Sequence, residues 1–326
     1  MQPIKFRTIL KETIWGGNKI PNLKHLNGFE DKRTGESWEI SSLEGNESIV
    51  DGGEYDGLSL SRLIDILKEK LIGADNYRRF GNRFPLLVKF IDARQELSVQ
   101  VHPDDETARR QGMMNGKNEM WYLLESEPDA TLRCGLKEEL TPDDIKRKVA
   151  DGTICNSIAE YNVKTGDCFY IPAGHVHSIG TGCLIAEIQQ TSDTTYRLYD
   201  YNRRDKSGNL RQLHIEKAIE CIDYSVKDDY QTHYRMVKNK RATLVECDYF
   251  KTSLYDIDHP LRLDYSCLDS FVILVCVKGK GTLTDNDGIV TTLHECETLL
   301  VPATTRTLDV KGNLSLIHIS EPTRPL

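Results

Sequence analysis

The chain has 326 residues, of which 39% are hydrophobic, and it carries a formal net charge of −8 at pH 7. This length is sufficient for two domains, and the composition excludes a disordered or fibrous protein. The acidic balance and the lack of a basic run argue against a nucleic-acid partner, and no apolar stretch is long enough to cross a membrane.

The N-terminal segment shows no sign of an export signal. Its charges are scattered, and it lacks the apolar core of a signal peptide. The nine cysteines include no Cys-x-x-Cys pair, which favours reduced thiols over a disulfide framework. We therefore expect a cytoplasmic protein.

Short β-rich segments separated by turn residues dominate the chain, a pattern typical of β-sandwiches and barrels. In chain order the clearest are FPLLVKFID (84–92), LSVQVHP (97–103), EMWYLLE (119–125), DCFYIPA (167–173), CLIAEIQQ (183–190), FVILVCV (271–277) and ETLLVPA (297–303). The absence of a regular alternation of strands and helices argues against Rossmann and TIM-barrel folds. The sequence therefore predicts a mainly β protein.

Helices are predicted in only three places. Apolar residues between Leu60 and Leu71 follow helical spacing. A second helix begins after the N-cap residue Thr141 and ends before Gly152. A short third helix is predicted from 214 to 222.

Two segments of the chain resemble each other. GDCFYIPAGHVH (166–177) aligns with CETLLVPATTRT (296–307), and each reads as a strand followed by a proline turn. His177 in the first copy is matched by Thr307 in the second. We therefore predict two related β-domains, of which only the first keeps this potential ligand.

The predicted domain boundaries follow from this duplication. We expect a metal-binding domain with helical insertions in residues 1–225 and a second β-domain without metal ligands in residues 226–314. The last residues, 315–326, abandon the strand alternation and resemble the translated read-through of a sequencing-library adapter. We predict that they form a non-native tail outside the second domain.

Four polar side chains of the first domain form a candidate metal site. Strand alternation places Gln100 and His102 on one face of one strand, Glu119 opens the next apolar strand, and His177 follows the proline turn. We expect these three strands to be neighbours in one barrel wall. Such ligands suit zinc, although they also accept iron, manganese or cobalt. His175 is an alternative to His177.

Several motifs together resemble a known family. The pattern Gly-x5-Pro-x-Gly-x2-His over residues 166–177 resembles the second sequence motif of the cupins, and His102 and Glu119 resemble a reduced first motif. The specific resemblance is to type I mannose-6-phosphate isomerases in their short bacterial form. It is carried, in family order over about two thirds of the chain, by IWGG (14–17), GESWEIS (35–41), QVHPDD (100–105), GKNEMWY (116–122), IPAGHVHSIGTG (171–182) and AEIQQTSDTTYRLYDYNR (186–203).

The resemblance implies a fold and a reaction. The fold is two cupin, or jelly-roll, β-barrels with a few short helices. The reaction is the zinc-dependent interconversion of mannose 6-phosphate and fructose 6-phosphate by proton transfer through an enediol(ate). The implied roles are one Zn²⁺ per chain held by Gln100, His102, Glu119 and His177, catalysis by Arg197 and Glu187, and substrate binding by Lys117.

The chemistry of this reaction fits these residue types. Negative charge develops on oxygen during the proton transfer, and a divalent cation and an arginine both stabilise such charge. Burial beside Ile185 and Ile188 is expected to raise the pKa of Glu187 into the range of a general base. A metal-bound hydroxide or a histidine remains an alternative base.

The substrate phosphate requires positive charge, for which Lys117, Arg197, Arg203 and Arg204 are candidates. Arg197 lies in a strand-like segment, where a buried arginine would need an anionic partner. Two other readings stay open: a non-catalytic cupin that binds a sugar phosphate, and a different metal-dependent cupin enzyme. The expected partner is a small-molecule sugar phosphate, and the protein is expected to be a monomer or a homodimer.

Overall fold

The computed structural model describes residues 1–29, 32–205 and 207–321. In these ranges the strands are β1 (Ile9–Gly17), β2 (Thr34–Ile40), β3 (Ser42–Leu43), β4 (Asn46–Glu47), β5 (Leu86–Ala93), β6 (Val99–Val101), β7 (Glu119–Ser126), β8 (Thr131–Leu136), β9 (Ile158–Asn162), β10 (Cys168–Ile171), β11 (His177–Ile179), β12 (Cys183–Gln190), β13 (Tyr196–Tyr199), β14 (Gln231–Thr232), β15 (Arg241–Glu246), β16 (Lys251–Ile257), β17 (Leu261–Asp264), β18 (Val272–Asp285), β19 (Val290–His294), β20 (Thr298–Val301) and β21 (Thr307–Ser320). The prediction of a mainly β fold is confirmed.

The α-helices of the described ranges are short. They are α1 (Lys19–Leu23), α2 (Leu60–Leu67), α3 (Glu69–Ile72), α4 (Ala74–Phe80), α5 (Asp105–Arg110), α6 (Pro142–Ala150) and α7 (Ile215–Cys221), with one 3₁₀ turn at Ile154–Ser157. In the part of the chain that is described, none is long and apolar enough to cross a membrane.

The three helix predictions are confirmed with one change. The segment from Leu60 to Leu71 is split into α2 and α3 at Lys68, whose φ of 52° ends the first helix. In α6 the side chain of Thr141 accepts a hydrogen bond from the Asp144 amide, and the Asp144 carboxylate accepts one from the Thr141 amide. This reciprocal capping box satisfies two amides that the first turn leaves free.

The first barrel consists of two facing antiparallel sheets. The larger has the order β1-β2-β5-β12-β7-β10-β14, and the smaller has the order β13-β6-β11-β8-β9. Their inner faces share a core, to which the larger sheet contributes Trp121 and Ile185 and the smaller contributes Leu132 and Ile179. The outer face of the smaller sheet is covered by α6 and α7.

The larger sheet is buried on both faces. Its outer face, with Val88 and Phe90 of β5, packs in one cluster with Ile273 and Ile317 of the second barrel. Every residue of β5 and β12 is buried as a result. Strands covered on both sides read as continuous apolar runs rather than as an alternation, which explains the sequences LLVKFIDA and CLIAEIQQ.

The second barrel repeats part of the first. Its sheet has the order β15-β16-β21-β18-β19, with β17 paired to β21 and β20 paired to β18. The amide of His175 donates to the carbonyl of Pro172 (3.1 Å), and the amide of Thr305 donates to that of Pro302 (2.9 Å), so the two proline turns have the same internal hydrogen bond. The predicted duplication therefore has a structural counterpart.

The end of the chain belongs to the second barrel as far as it is described. β21 continues past Leu314 to Ser320, between β16 on one side and β18 on the other. Leu316 and Ile317 are both fully buried, on opposite faces of the sheet. The prediction that the β pattern ends at Leu314 is therefore wrong for residues 315–320, since a strand buried on both faces has no reason to alternate. Residues 322–326 of the predicted tail lie outside the described residues.

Candidate active site

Three of the four predicted metal ligands converge inside the first barrel. The ligand atoms of His102, Glu119 and His177 all lie within 4.8 Å of one another, and all three residues are buried. His102 Nε2 is 3.5 Å from Glu119 Oε2, and His177 Nε2 is 3.3 Å from Glu119 Oε1. We call these three residues the His–Glu–His cluster.

The cluster lies between the two sheets of the barrel. His102 directly follows β6 and His177 opens β11, and these are adjacent strands of the smaller sheet. Glu119 opens β7, which pairs with β10 and β12 in the larger sheet and faces the histidines from the opposite side. The expectation of a single barrel wall is therefore wrong, because strands that follow each other in sequence fall in different sheets of this fold.

Gln100 stands beside the cluster in the smaller sheet. Its Cα is the register partner of His177, and its Nε2 lies 3.3 Å from His177 Nε2. On its other side Gln100 is the register partner of Arg197 in β13. Arg197, Gln100 and His177 thus form a row across three neighbouring strands.

Both histidines of the cluster are arranged to offer a lone pair. His102 Nδ1 donates to the carbonyl of Thr194 and His177 Nδ1 donates to that of His175, each at 2.8 Å, which leaves Nε2 of each ring directed at Glu119. Burial lowers the pKa of both rings, that of His177 to about 3, so both are neutral at pH 7. A neutral imidazole with a fixed Nδ1 proton is the form that binds metal.

Glu119 carries the strongest sign that the cluster fits a cation. The residue is completely buried, and neither carboxylate oxygen accepts a hydrogen bond of ordinary geometry. Burial raises its pKa to about 7, although the ammonium of Lys117 lies 2.9 Å away. A buried carboxylate that makes no hydrogen bond of ordinary geometry and faces two imidazole nitrogens has the chemistry of a ligand set for a divalent cation.

His175 does not face the cluster. Its ring packs edge-on against Tyr230, with centroids 5.3 Å apart. Its Nε2 lies 3.4 Å from the ammonium of Lys227 and 3.6 Å from the carboxylate of Asp223. The proline turn therefore sends the two nearby histidines to different surroundings.

A charged network borders the cluster. Glu187 Oε1 is 3.2 Å from Lys89 Nζ and 3.9 Å from Lys117 Nζ, and Glu187 Oε2 accepts a hydrogen bond of 3.0 Å from the Trp121 indole. Lys89 also lies 3.8 Å from Glu36. Both lysines and Glu187 are about 95% buried.

The pKa of Glu187 is lowered, whereas the sequence predicted that it is raised. Burial alone would raise it, but the charges of Lys89 and Lys117 and the hydrogen bond from Trp121 together lower the pKa below its usual value. The predicted raised pKa is therefore wrong, because the apolar neighbours seen in sequence are accompanied by two buried ammonium groups. Glu187 is ionised across the neutral range.

A cavity of about 490 Å³ connects these groups to the remaining predicted residues. Its lining includes Gln100, Lys117, Glu187 and Arg197. Arg197 Nε donates to Ser98 Oγ (3.2 Å), and one of its terminal nitrogens donates to the carbonyl of Gln212 (3.1 Å). Within the described residues no carboxylate lies within 4 Å of Arg197, so the expected anionic partner is not found among them.

Comparisons with known proteins show which family this chain belongs to. Residues 4–132 match the family model "Phosphomannose isomerase type I, catalytic domain", and residues 240–321 match "Mannose-6-phosphate isomerase, cupin domain". The mannose-6-phosphate isomerase ManA of Bacillus subtilis (strain 168) is 36% identical over 289 residues, which cover 88% of this chain and 89% of that protein. The chain belongs to the type I mannose-6-phosphate isomerase family.

Other members of this mannose-6-phosphate isomerase family match almost the whole chain. The mannose-6-phosphate isomerase of Streptococcus mutans serotype c is 31% identical over 324 residues, covering 97% of both chains. The crystal structure of the mannose 6-phosphate isomerase from Bacillus subtilis superposes with a TM-score of 0.87 at 30% identity, over 98% of this chain and 99% of that one. The prediction of two cupin barrels is confirmed.

Two residues that line the cavity of this mannose-6-phosphate isomerase were not predicted from the sequence. Lys89 is a cation within the apolar strand FPLLVKFID, and a charge in a buried strand is a signal that a partner exists. Arg211 lines the cavity from a loop after β13. Its sequence surroundings are polar and gave no such signal.

Proposed function

We propose that this chain interconverts mannose 6-phosphate and fructose 6-phosphate, with one Zn²⁺ held by Gln100, His102, Glu119 and His177. The observation that carries the proposal is the buried His–Glu–His cluster, in which neither oxygen of Glu119 has a hydrogen bond of ordinary geometry and the Nε2 of each imidazole lies within 3.5 Å of Glu119. Family membership supports the sugar phosphate as substrate. Zinc is proposed because nitrogen and oxygen donors of this type suit it.

The proposed reaction moves a proton between C1 and C2 of the open-chain sugar through an enediolate. When bound, the cation supplies a Lewis acid that favours negative charge on the sugar oxygens. Arg197 contributes a guanidinium that has no carboxylate within 4 Å among the described residues, and it stands one strand away from Gln100. A fixed positive charge on the wall of the cavity stabilises negative charge on a bound sugar phosphate.

Glu187 is the proposed proton-transferring base. It is ionised at neutral pH, it lines the cavity, and its Oε1 accepts no hydrogen bond of ordinary geometry. Its lowered pKa makes it a weaker base than the sequence suggested, so proton transfer depends more on the positive charges that stabilise the product anion. Lys117 is proposed to donate a hydrogen bond to a sugar oxygen between Glu187 and the cluster.

The test is a coupled assay of mannose 6-phosphate conversion on metal-stripped protein, with and without added Zn²⁺, beside a His102→Ala variant. We expect activity only when zinc is added to the unmodified protein. In D₂O, proton transfer through an enediolate introduces deuterium at C1 of fructose 6-phosphate, whereas a hydride shift does not. Folded, zinc-loaded protein without activity would contradict the proposal and favour a sugar-phosphate-binding cupin. The cytoplasmic location and the monomeric or dimeric state remain predictions.

A further inference from the structure

Three arginines surround one buried carboxylate at the edge of the cavity. Asp200 is about 96% buried, and its Oδ1 pairs with Arg203 and, at 3.2 Å, with Arg211. Arg197, the third arginine, has no carboxylate within 4 Å in the described ranges. Asp200 therefore pairs with two of the three guanidinium groups, and Arg197 is left without an ion pair among the described residues.

Two of the three arginines face the cavity. Arg197 and Arg211 belong to its lining, whereas Arg203 does not. Arg203 donates to the backbone carbonyls of Asp200 and Glu96 in addition to its ion pair. Asp200 thus fixes Arg203 in the structure and holds Arg211 toward the cavity.

The two cavity arginines are both partly buried cations on one cavity wall. Burial lowers the pKa of both, Arg211 lowers that of Arg197 further, and the carboxylate of Asp200 acts in the opposite direction on each. Cations that line one cavity are stabilised by an anion that contacts both, and planar guanidinium groups match phosphate oxygens in pairs.

The distance along the sheet suits a sugar phosphate. Arg197 is the register partner of Gln100, and Gln100 is that of His177, so two strand spacings, about 10 Å, separate the backbone of Arg197 from that of His177. An open-chain hexose phosphate is long enough to place its C1 and C2 near the cluster and its phosphate near the arginines.

We propose that Arg211, held by Asp200, binds the substrate phosphate together with Arg197. This assignment rests on the proposed function and names the part of the substrate that the arginine end of the cavity recognises. The other candidates fit less well. Lys117 is buried against Glu119 at the metal end, and Arg204 is exposed and donates to the carbonyl of Gly208 outside the cavity.

The test compares Arg211→Gln with Arg204→Gln, an exposed arginine of the same loop that serves as the matched control. Because a charged hydrogen bond typically contributes about 1.5–3 kcal/mol, we expect the KM for mannose 6-phosphate to rise about 10- to 100-fold in Arg211→Gln. The kcat should change less than threefold. Arg204→Gln should leave both constants unchanged, and Arg211→Lys should lie between.

A second measurement does not depend on activity. Calorimetric titration of inorganic phosphate into metal-free protein should give at least tenfold weaker binding for Arg211→Gln than for Arg204→Gln. Equal phosphate affinity and equal KM in the two variants, at matched melting temperatures, would overturn the assignment. An inactive unmodified protein whose phosphate binding still depends on Arg211 would contradict the proposed reaction and leave the phosphate site standing.

Discussion

His175 and His177 lie two residues apart and meet different environments. His177 faces Glu119, and His175 packs against Tyr230. The sequence could name both as candidates and could favour His177 by motif spacing. It could not show the direction of each ring, because that depends on how the proline turn lies on β6 and on the segment around Lys227.

We predict that His177→Ala loses bound zinc and that His175→Ala keeps it. The removed imidazole would be a ligand in the first variant, while in the second it contacts only groups outside the cluster. Zinc content after dialysis, measured by inductively coupled plasma mass spectrometry, checks this. Equal zinc loss in the two variants would contradict the assignment of His177 as a ligand.

Lys89 is a buried cation that stabilises the buried carboxylate of Glu187. Its removal by Lys89→Met leaves Glu187 buried without its closest cation, so we expect metal-free protein to lose about 3 kcal/mol of unfolding free energy at pH 7. Urea denaturation measures this loss. Lys238→Met, which breaks an exposed pair with Asp256, is the control and should cause no measurable change.

The loss caused by Lys89→Met should depend on pH. In the unmodified protein the pKa of Glu187 is below its usual value, so its stabilising contribution is present above about pH 4.5 and is lost as the pH falls through the lowered folded-state pKa. Without Lys89 that pKa rises, and the carboxyl group can be buried in its neutral form at acid pH. The difference between the two proteins should therefore be larger at pH 7 than at pH 4. A pH-independent difference would show that lost packing, and not charge, accounts for it.

At the scale of secondary-structure elements, the sequence predicted the ends of an element wherever residues within one segment determine them. The cap of α6 was predictable because Thr141, Pro142 and Asp144 act within one turn. Sheet membership was not predictable in this way. Glu119 was placed in the wrong wall because the pairing of β7 with β10 and β12 joins distant segments.

The helix cap gives a stability prediction without a functional effect. Thr141→Ala removes the side-chain acceptor for the Asp144 amide and should cost about 1 kcal/mol in urea denaturation. The kcat should not change. Thr153→Ala, at the start of a 3₁₀ turn where the threonine side chain makes no cap hydrogen bond, should have no effect on stability. Equal losses in both variants would contradict the capping role.

The last strand gives the prediction with the largest expected loss of unfolding free energy. Ile317 is fully buried in the core between the two barrels, so Ile317→Ala should lower the unfolding free energy by about 2–5 kcal/mol. Lys311→Ala on the exposed part of β21 is the control. A melting temperature for Ile317→Ala equal to that of the control would show that residues 315–320 do not form the strand described.

At the scale of the whole molecule, the chain is a pair of related barrels, each with its own core, joined by a third hydrophobic cluster between them. The larger sheet of the first barrel packs on the second barrel through Phe90, Ile273 and Ile317, which buries both faces of its central strands. The duplication was predictable because both proline turns contain a Pro-Ala pair after a strand, at residues 172–173 and 302–303. The cluster between the barrels was not, since nothing in either repeat indicates which outer face the other barrel covers. The predicted boundary near residue 225 remains a prediction.

We propose that the His–Glu–His cluster together with Gln100 holds one zinc ion and that this isomerisation requires it. The most direct measurement is a titration of metal-stripped protein with Zn²⁺ in which mannose 6-phosphate conversion and bound zinc are followed together. We predict that activity rises in proportion to bound zinc, breaks at one equivalent per chain, and is absent in His177→Ala at every zinc concentration. Full activity in the metal-stripped protein would contradict the zinc requirement. An unchanged titration in His177→Ala would contradict the assignment of the His–Glu–His cluster as the zinc site.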